Sequence, residues 1–150
     1  MQLLIPPPLV ALACALLMWA VSTLTGELRI AFPLQDMLAY ALIAAGLALD
    51  VVSVLAFFKA KTTITPLSPE KSSRLVVSGF YRITRNPMYL GMLLILTGIA
   101  LLLGSPLNVL LLAAFIAYIT AFQIKPEERR LDTLFGEEYA AYKNRVRRWL

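Results

Sequence analysis

The sequence from Arg85 to Glu128 reads RNPMYLGMLLILTGIALLLGSPLNVLLLAAFIAYITAFQIKPEE. It contains two apolar runs, Pro87 to Leu103 and Leu107 to Ile124, with the short segment Gly104-Ser105-Pro106 between them. Glycine, serine and proline together are typical of a tight turn. Each run is close to the length that an α-helix needs to cross the hydrocarbon core of a bilayer. The pattern therefore predicts a helical hairpin in a membrane.

Two further apolar runs precede this hairpin, from Leu9 to Leu24 and from Met37 to Phe58. The first follows Pro6 to Pro8, and proline suits a helix start because its missing N–H would be unpaired there anyway. No Lys or Arg precedes this run, so it lacks the basic start of a signal peptide and we expect it to be a retained span.

The composition agrees with a chain that has a bilayer as its solvent. Apolar residues make up 59% of the sequence and charged residues 15%, against about 45–50% and 25% in soluble domains. One small aqueous core could not bury so much apolar surface. We therefore predict an all-α integral membrane protein with about four transmembrane helices and a C-terminal amphipathic cytoplasmic helix.

Charge and composition also exclude several classes of function. The net charge is +5, but the basic residues lie in two blocks between apolar runs, which indicates anionic lipid headgroups rather than nucleic acid as the counter-charge. The chain has no His and one Cys. This excludes the usual zinc and iron–sulfur ligand sets, and Cys–His or Ser–His catalytic pairs.

The basic residues predict the orientation of the spans. The polar loop from Lys59 to Asn86 carries six Lys or Arg residues and the tail after Ile124 carries seven, whereas the linker from Thr25 to Asp36 carries only Arg29. The positive-inside rule places the loop, the tail and both termini in the cytoplasm. Loop and tail can therefore build one site.

The tail itself alternates between apolar and charged positions. Its apolar residues recur at spacings of three and four, which predicts an amphipathic surface helix with a possible break at Gly136. These residues are Leu131, Phe135, Tyr139, Tyr142, Val146 and Trp149.

The block from Arg85 to Tyr89 lies where the third span begins. Asn86 suits the N-cap and Pro87 the first helical position. A helix N-terminus beside an arginine can hold a carboxylate or a phosphate. The alternative is a plain helix cap with an arginine that extends to the interface, and the local sequence leaves both open.

Three other polar features allow two readings each. Glu127 and Glu128 could bind ribose hydroxyls or an ammonium group, or could complete the first turn of a helix. The segment from Ser73 to Tyr81 could line an adenine-sized pocket or re-enter the interface. Asp50 is an intramembrane carboxylate and so a functional candidate, but it could equally accept a hydrogen bond at the cytoplasmic end of the helices.

Taken in order, these features resemble the isoprenylcysteine carboxyl methyltransferase family, to which the phospholipid N-methyltransferases are related. The resemblance covers Lys59 to Leu150 and depends on LVVSGFYRITRNPMYLG, the hairpin and EERRLDTLFGEEYAAYKNRV. Asn86 stands where the prenylcysteine enzymes have His, so this point is more similar to the phospholipid enzymes. The Phe-Gly-Glu-Glu-Tyr phrase is more similar to the carboxyl methyltransferases.

The resemblance implies S-adenosylmethionine as the methyl donor and assigns site residues by position. The adenosine side would be lined by Arg74, Leu75, Val76 and Tyr81. The methionine end would contact Asn86, Pro87, Met88 and Tyr89, with Gly91 allowing close approach and Glu127 and Glu128 supplying polar contacts. The candidates for a catalytic role are Arg85, Asn86 and Tyr89, with Arg85 steering an anionic group.

The implied activity is methylation of a lipophilic acceptor, in the first place a carboxyl group of isoprenylcysteine type, with phospholipid N-methylation as the alternative. A small four-span transporter is a third and less favoured reading. We expect a single membrane domain, residues 1–150, in which residues 1–58 form an N-terminal helical pair and residues 59–150 form the methyltransferase core. The expected partners are membrane lipid and a lipidated or lipophilic small molecule.

Overall fold

The computed structural model describes residues 5–59 and 75–150, and this part of the chain is helical without β-strands. Within these described residues, two short 3-10 helices, Gly26–Leu28 and Gly79–Arg82, and one π-helical turn, Thr120–Ile124, accompany five α-helices. The α-helices are α1 (Pro7–Leu24), α2 (Gln35–Lys59), α3 (Pro87–Leu103), α4 (Asn108–Ile119) and α5 (Lys125–Arg145).

In the part of the chain that the structure describes, three helical stretches are long and apolar enough to cross a membrane: Pro7–Leu24, Gln35–Ala56 and Asn108–Arg145. The third joins α4, the π-helical turn and α5, and its apolar part ends at Ile124. Helix α3 is a shorter apolar helix of 17 residues, about 25 Å long at 1.5 Å per residue. The prediction of an all-α integral membrane protein is confirmed.

Helices α2 and α3 pack so closely that glycine is required in both. A Cβ atom added to Gly46 would stand 2.6 Å from the carbonyl oxygen of Gly91, and one added to Gly98 would stand 2.6 Å from the carbonyl oxygen of Ala39. Small residues at such contacts let two backbones approach within a membrane. This contact sets α2 against the face of α3 that carries Gly91.

Helix α3 also packs on its other side against α1 and α4. The buried side chains of this core include Cys14 and Met18 of α1, Leu96 of α3, and Phe115 and Ile119 of α4. Helix α3 is therefore the central helix, and residues at its N-terminus are held from several sides.

The turn between α3 and α4 closes one end of the hairpin. Gly104 adopts a left-handed conformation with φ of 71° and caps α3, as glycine commonly does after a helix. The linker packs on this turn, because the Ile30 N–H donates to the Gly104 carbonyl at 2.9 Å. The predicted hairpin is confirmed, although α4 begins at Asn108 and not at Leu107.

The tail helix differs from its prediction at its end. Gly136 has φ 46° and ψ −118° inside α5, so the expected break is a kink in a continuing helix. Helix α5 ends at Arg145, and Val146 and Trp149, which the amphipathic pattern included, lie beyond it. Val146 instead begins an extended segment. This segment runs beside the polar loop.

Replacing Gly98 with alanine tests the contact between α2 and α3. The added Cβ would press on the Ala39 carbonyl and on Cγ1 of Ile43, each at 2.6 Å, and overpacking of this kind costs about 1–3 kcal/mol. We expect a lower midpoint of thermal unfolding in detergent. Gly26→Ala is the matched control, since nothing lies within 4 Å of its Cβ position. Equal midpoints for the two variants would contradict the packing described.

Candidate active site

The chain's last residues run beside the loop that leads into α3. The Arg85 N–H donates to the Arg147 carbonyl at 2.9 Å, and Thr84 and Arg147 form an isolated β-bridge. The Trp149 indole N–H donates to Thr120 Oγ1 at 3.2 Å. These contacts hold the segment after α5, Val146–Leu150, against both the loop and the π-helical turn.

Asn86 occupies the N-cap position of α3, as predicted, but its side chain makes no capping hydrogen bond. Its Nδ2 instead donates to the Arg148 carbonyl at 2.9 Å. Thr84 Oγ1 accepts the Asn86 N–H at 3.2 Å and donates to the same Arg148 carbonyl. The predicted N-cap position is therefore confirmed, but the partner of the amide group is a backbone carbonyl of the tail and not the first turn of α3.

Glu128 joins the loop to the tail through two arginines. Its Oε1 lies 3.3 Å from Arg85 Nη2. Arg148 binds the same carboxylate in a bidentate way, with Nε at 3.0 Å and Nη2 at 2.7 Å. The side chains of Arg85 and Glu128 are only 11% and 13% exposed. Such charge-assisted contacts are among the stronger hydrogen bonds in proteins.

Glu127 faces the other way and contacts α3. The hydroxyl of Tyr89, a buried residue of the first turn of α3, donates to Glu127 Oε2 at 3.2 Å. Burial raises the pKa of Glu127 from its ordinary value of 4.5 to about 7, although the Tyr89 hydrogen bond acts in the opposite direction. The carboxylate thus changes its charge near neutral pH.

Tyr81 lies in the 3-10 helix Gly79–Arg82 and is buried. Its carbonyl accepts a hydrogen bond from the Tyr142 hydroxyl at 2.6 Å. Burial raises the pKa of Tyr81 above its ordinary range, and the charges of Glu127 and Asp50, besides Tyr142, raise it further. Glu127 of α5 and Asp50 of α2 therefore both act on the ring that the loop supplies.

The loop also packs against the apolar face of the tail helix. Leu75 joins a cluster with Leu131, Phe135, Tyr139, Tyr142 and Val146. A cavity of about 440 Å³ lies beside this cluster, lined by Val77, Ser78, Arg82, Tyr142, Arg145 and Val146. None of the predicted site residues lines this cavity, although Val77 and Ser78 belong to the loop phrase that carried the resemblance.

The predicted site residues meet the following surroundings. Tyr89 meets Glu127, Arg85 meets Glu128, and Leu75 meets the tail helix. Val76 and Pro87 are buried and Met88 is half-buried. Gly91 faces α2, where an added Cβ would stand 2.0 Å from Asp50 Oδ1. Arg74 lies outside the described residues. The cofactor contacts assigned to all of these residues stay predictions.

Two residues of this network were not foreseen, Arg148 and Tyr142. The sequence showed Arg148 only as one of several basic residues near the end of the chain, and Tyr142 only as an apolar position of the tail. A signal existed for neither of them, because each acts through a backbone or carboxylate partner more than 15 residues away.

Comparison with known families shows the family to which the chain belongs. Residues 34–138, more than two thirds of the chain, match the sequence model of the family described as phospholipid methyltransferase. The chain belongs to this family. As a phospholipid methyltransferase family member, it is placed among membrane methyltransferases. The family match begins at residue 34 and so includes all of α2, together with Asp50.

Curated relatives of this family member include isoprenylcysteine enzymes. The chain is 32% identical over 85 residues to protein-S-isoprenylcysteine O-methyltransferase B of Arabidopsis thaliana, a match that covers 57% of the chain and 43% of that enzyme. It is 34% identical over 83 residues to protein-S-isoprenylcysteine O-methyltransferase of Saccharomyces cerevisiae, covering 55% of the chain and 35% of that enzyme. The resemblance to the isoprenylcysteine family is confirmed.

These matches span less than half of the length of either enzyme. An uncharacterized protein of Haemophilus influenzae is 51% identical over 63 residues, which is 42% of the chain and the whole of that protein. No solved structure matches the chain.

Replacing Glu128 with glutamine tests the junction of loop and tail. The variant keeps the shape of the side chain but removes the charge that faces two guanidinium groups. We expect a loss of about 3 kcal/mol in the free energy of unfolding, near the lower end for breaking a buried pair, and faster proteolysis after α5.

Asp132→Asn is the matched control for this variant. Asp132 pairs with Lys143, and the side chains are 41% and 32% exposed, respectively. Loss of this ion pair should therefore cost no more than about 1 kcal/mol. Equal losses in the two variants, measured by denaturant unfolding in detergent, would mean that Glu128 does not join loop and tail.

The raised pKa of Glu127 predicts a pH dependence of stability. Because the folded pKa of about 7 exceeds the ordinary value of 4.5, the folded state binds this proton more tightly. The contribution to stability is fully present below about pH 4.5 and is lost as the pH rises through about 7. We expect Glu127→Gln to flatten that part of the curve between pH 5 and 8.

Thermal unfolding in detergent across this range measures the effect. The control is Glu138→Gln, at an exposed position of the same helix, which should keep the pH profile of the unmodified protein. A Glu127→Gln profile that superimposes on that of the unmodified protein would contradict the burial of this carboxyl group.

Proposed function

We propose that this protein transfers a methyl group from S-adenosylmethionine to a lipophilic acceptor at the membrane surface. Family membership supports the reaction type. The observation that carries the proposal is the Tyr89–Glu127 hydrogen bond. It joins the first turn of an apolar helix to the polar tail, at the level where a water-soluble donor and a lipid-like acceptor could meet.

The residues present fit the amino-acid end of this cofactor. S-adenosylmethionine carries a carboxylate, an ammonium group, an adenosine, and the sulfonium that supplies the methyl group. Arg85 Nε and Nη1 are buried and have no hydrogen-bond partner among the described residues. Buried donors are nearly always paired in native proteins, so an acceptor from a ligand carboxylate suits them. Glu127 suits the ammonium group.

The loop residues support binding of the adenosine end. Val76 and Tyr81 are buried, and Leu75 packs on the apolar face of α5. Apolar and aromatic walls with a few polar groups are typical of small-molecule sites. These contacts and the resemblance together support a place for the adenosine between the loop and the tail.

Methyl transfer asks little chemistry of the protein itself. The donor contains the reactive group, and the protein binds and aligns donor and acceptor. Correct alignment alone can lower a barrier by roughly 7–11 kcal/mol. Arg85, held by Glu128, presents fixed donors, and Tyr89, whose hydroxyl donates to Glu127, presents a fixed acceptor oxygen. Both can orient a bound molecule.

Both acceptor classes expected from the sequence remain candidates at this level. The relatives named for isoprenylcysteine O-methylation support a carboxyl acceptor, and the family description supports a phospholipid. In either case a lipophilic acceptor would enter between the apolar helices. We further propose that loop, tail and both termini face the cytoplasm, on the basis of the positive charges of loop and tail.

Tyr89→Phe tests the cofactor site. The change removes the hydroxyl that orients Glu127 and leaves the ring, and loss of a hydrogen bond to a charged group costs about 1.5–3 kcal/mol. We expect the affinity for S-adenosylmethionine, titrated on detergent-purified protein, to fall by at least about tenfold.

Tyr40→Phe is the control, since Tyr40 is exposed on α2 and should leave the affinity unchanged. An affinity unaltered by Tyr89→Phe would move the site elsewhere. No binding of S-adenosylmethionine by the unmodified protein would refute the proposed function.

A further inference from the structure

Asp50 lies on the face of α2 that packs against α3. Gly46, Asp50 and Ser53 follow one another at spacings of four and three, so they share one side of the helix. Gly46 packs against the backbone of Gly91. A Cβ atom added to Gly91 would clash with Asp50 Oδ1, because the two atoms would be only 2.0 Å apart. The carboxylate is therefore held close to the first turns of α3.

One oxygen of this carboxylate has no hydrogen-bond partner among the residues that the structure describes. Asp50 Oδ1 is buried without a hydrogen bond, and Asp50 takes part in none of the three ion pairs of the described residues. Ser53, one turn further on, donates instead to the Leu49 carbonyl. A charged oxygen buried without a partner is costly, and an ionisable group within a membrane-spanning segment is by default a candidate functional group.

Asp50 is oriented toward the candidate active site. Gly91, which it touches, is two residues beyond Tyr89, the partner of Glu127. The charges of Asp50 and Glu127 both act on Tyr81. Helix α2, the loop and α5 thus present Asp50, Tyr81 and Glu127 to the same region, from three different parts of the chain.

The charges around this region favour a cation. Glu128 already pairs with two arginines, Arg85 and Arg148. Glu127, like Asp50, takes part in no ion pair of the described residues and receives only the Tyr89 hydroxyl. One of these carboxylates can serve the ammonium group of the cofactor, and the second is then left for the acceptor.

We propose that Asp50 binds the methyl acceptor, and that this acceptor is a lipophilic amine which arrives as an ammonium ion and gives a proton to Asp50. The inference rests on the proposed function. It assigns Asp50 to the membrane side of the site and Glu127 to the cofactor side. An anionic carboxylate acceptor would instead meet the like charge of Asp50 in a medium of low dielectric constant.

The proton and electron balance of the step is complete. The ammonium N–H bond breaks and its proton passes to a carboxylate oxygen of Asp50, which leaves a neutral amine with a lone pair. That lone pair forms the new N–C bond while the C–S bond to the donor methyl breaks, and the sulfur leaves with the bonding electrons as a thioether. The positive charge moves from sulfur to nitrogen. Asp50 holds the proton and is neutral during this step, so its part in the reaction is to bind the ammonium ion and to accept its proton.

A carboxylate beside the sulfonium would act on the donor instead. It would stabilise the charge of the bound donor, which disappears during the transfer, and would so bind the ground state better than the transition state. Asp50 lies on α2, a helix apolar enough to cross a membrane, which agrees with the acceptor side.

The binding test uses the ligand-free protein and does not depend on turnover. Dodecylamine, dodecanol and dodecanoate are added in turn to detergent-purified protein at neutral pH, and the midpoint of thermal unfolding is followed. We expect dodecylamine to raise the midpoint more than the alcohol does, and dodecanoate to give no extra rise. In Asp50→Asn the advantage of the amine should disappear.

Asp36→Asn is the matched control on the same helix, since Asp36 lies exposed in the first turn of α2. It should keep the response to the amine. The fold of Asp50→Asn is checked by its affinity for S-adenosylmethionine, which should stay within about twofold of that of the unmodified protein. An equal response to amine and alcohol, or loss of cofactor binding in Asp50→Asn, would overturn the inference.

A transfer assay separates this inference from the proposed function. With methyl-labelled cofactor, vesicles of phosphatidylethanolamine should gain base-stable label, and Asp50→Asn should lower this rate at least tenfold. Base-labile label on a prenylcysteine, with none on the amine lipid, would refute the role of Asp50 and leave the methyltransferase proposal intact. Failure of the unmodified protein to bind the cofactor would refute that proposal, while the amine-binding result still decides whether Asp50 binds an ammonium group.

Discussion

The ion pairs of Glu128, whose side chain is 13% exposed, are the contacts on which the candidate site depends. Glu128 binds Arg85 of the loop and Arg148 of the tail at once, so the two polar segments, which are more than 60 residues apart, become one surface. Two further hydrogen bonds join the same segments: the Arg85 N–H donates to the Arg147 carbonyl, and the Asn86 side chain donates to the Arg148 carbonyl. Removing either arginine would leave the negative charge of Glu128 with one partner fewer in a poorly exposed place. We therefore expect loss of either arginine to loosen the whole junction of loop and tail.

A second constraint comes from the bilayer side. Close packing of α2 on α3 requires Gly46, Gly91 and Gly98. A Cβ atom added to any of these glycines would lie within 3 Å of the neighbouring helix. This packing brings Asp50 beside Gly91, whereas the loop and tail bring Glu127 to Tyr89. Apolar helices and polar segments therefore contribute acidic groups to the same region. This arrangement suits a reaction between a water-soluble donor and a membrane-soluble acceptor.

The sequence predicted the helices better than the contacts between polar side chains. Apolar runs, the proline at Pro87 and the glycine at Gly104 fixed the hairpin, because local patterning determines where helices begin and end. Asn86 could not be assigned in the same way, since its partner is a carbonyl 62 residues away. The pattern also carried α5 beyond Arg145, because Val146 and Trp149 continue the apolar spacing although they pack on the loop and the π-helical turn. Only the family resemblance placed the site residues, and it gave Asp50 no role.

The central claim is that loop, tail and the start of α3 build the donor site. The most direct test is to cross-link labelled S-adenosylmethionine to the detergent-purified protein with ultraviolet light and to map the labelled peptides. A donor site built by loop, tail and the start of α3 predicts label in two peptides, one that contains Tyr81 and Tyr89 and one that contains Glu127, with excess unlabelled cofactor abolishing both. Label confined to the opposite end of the helices, around Arg29 and Gln35, or label that excess cofactor does not displace, would contradict the claim.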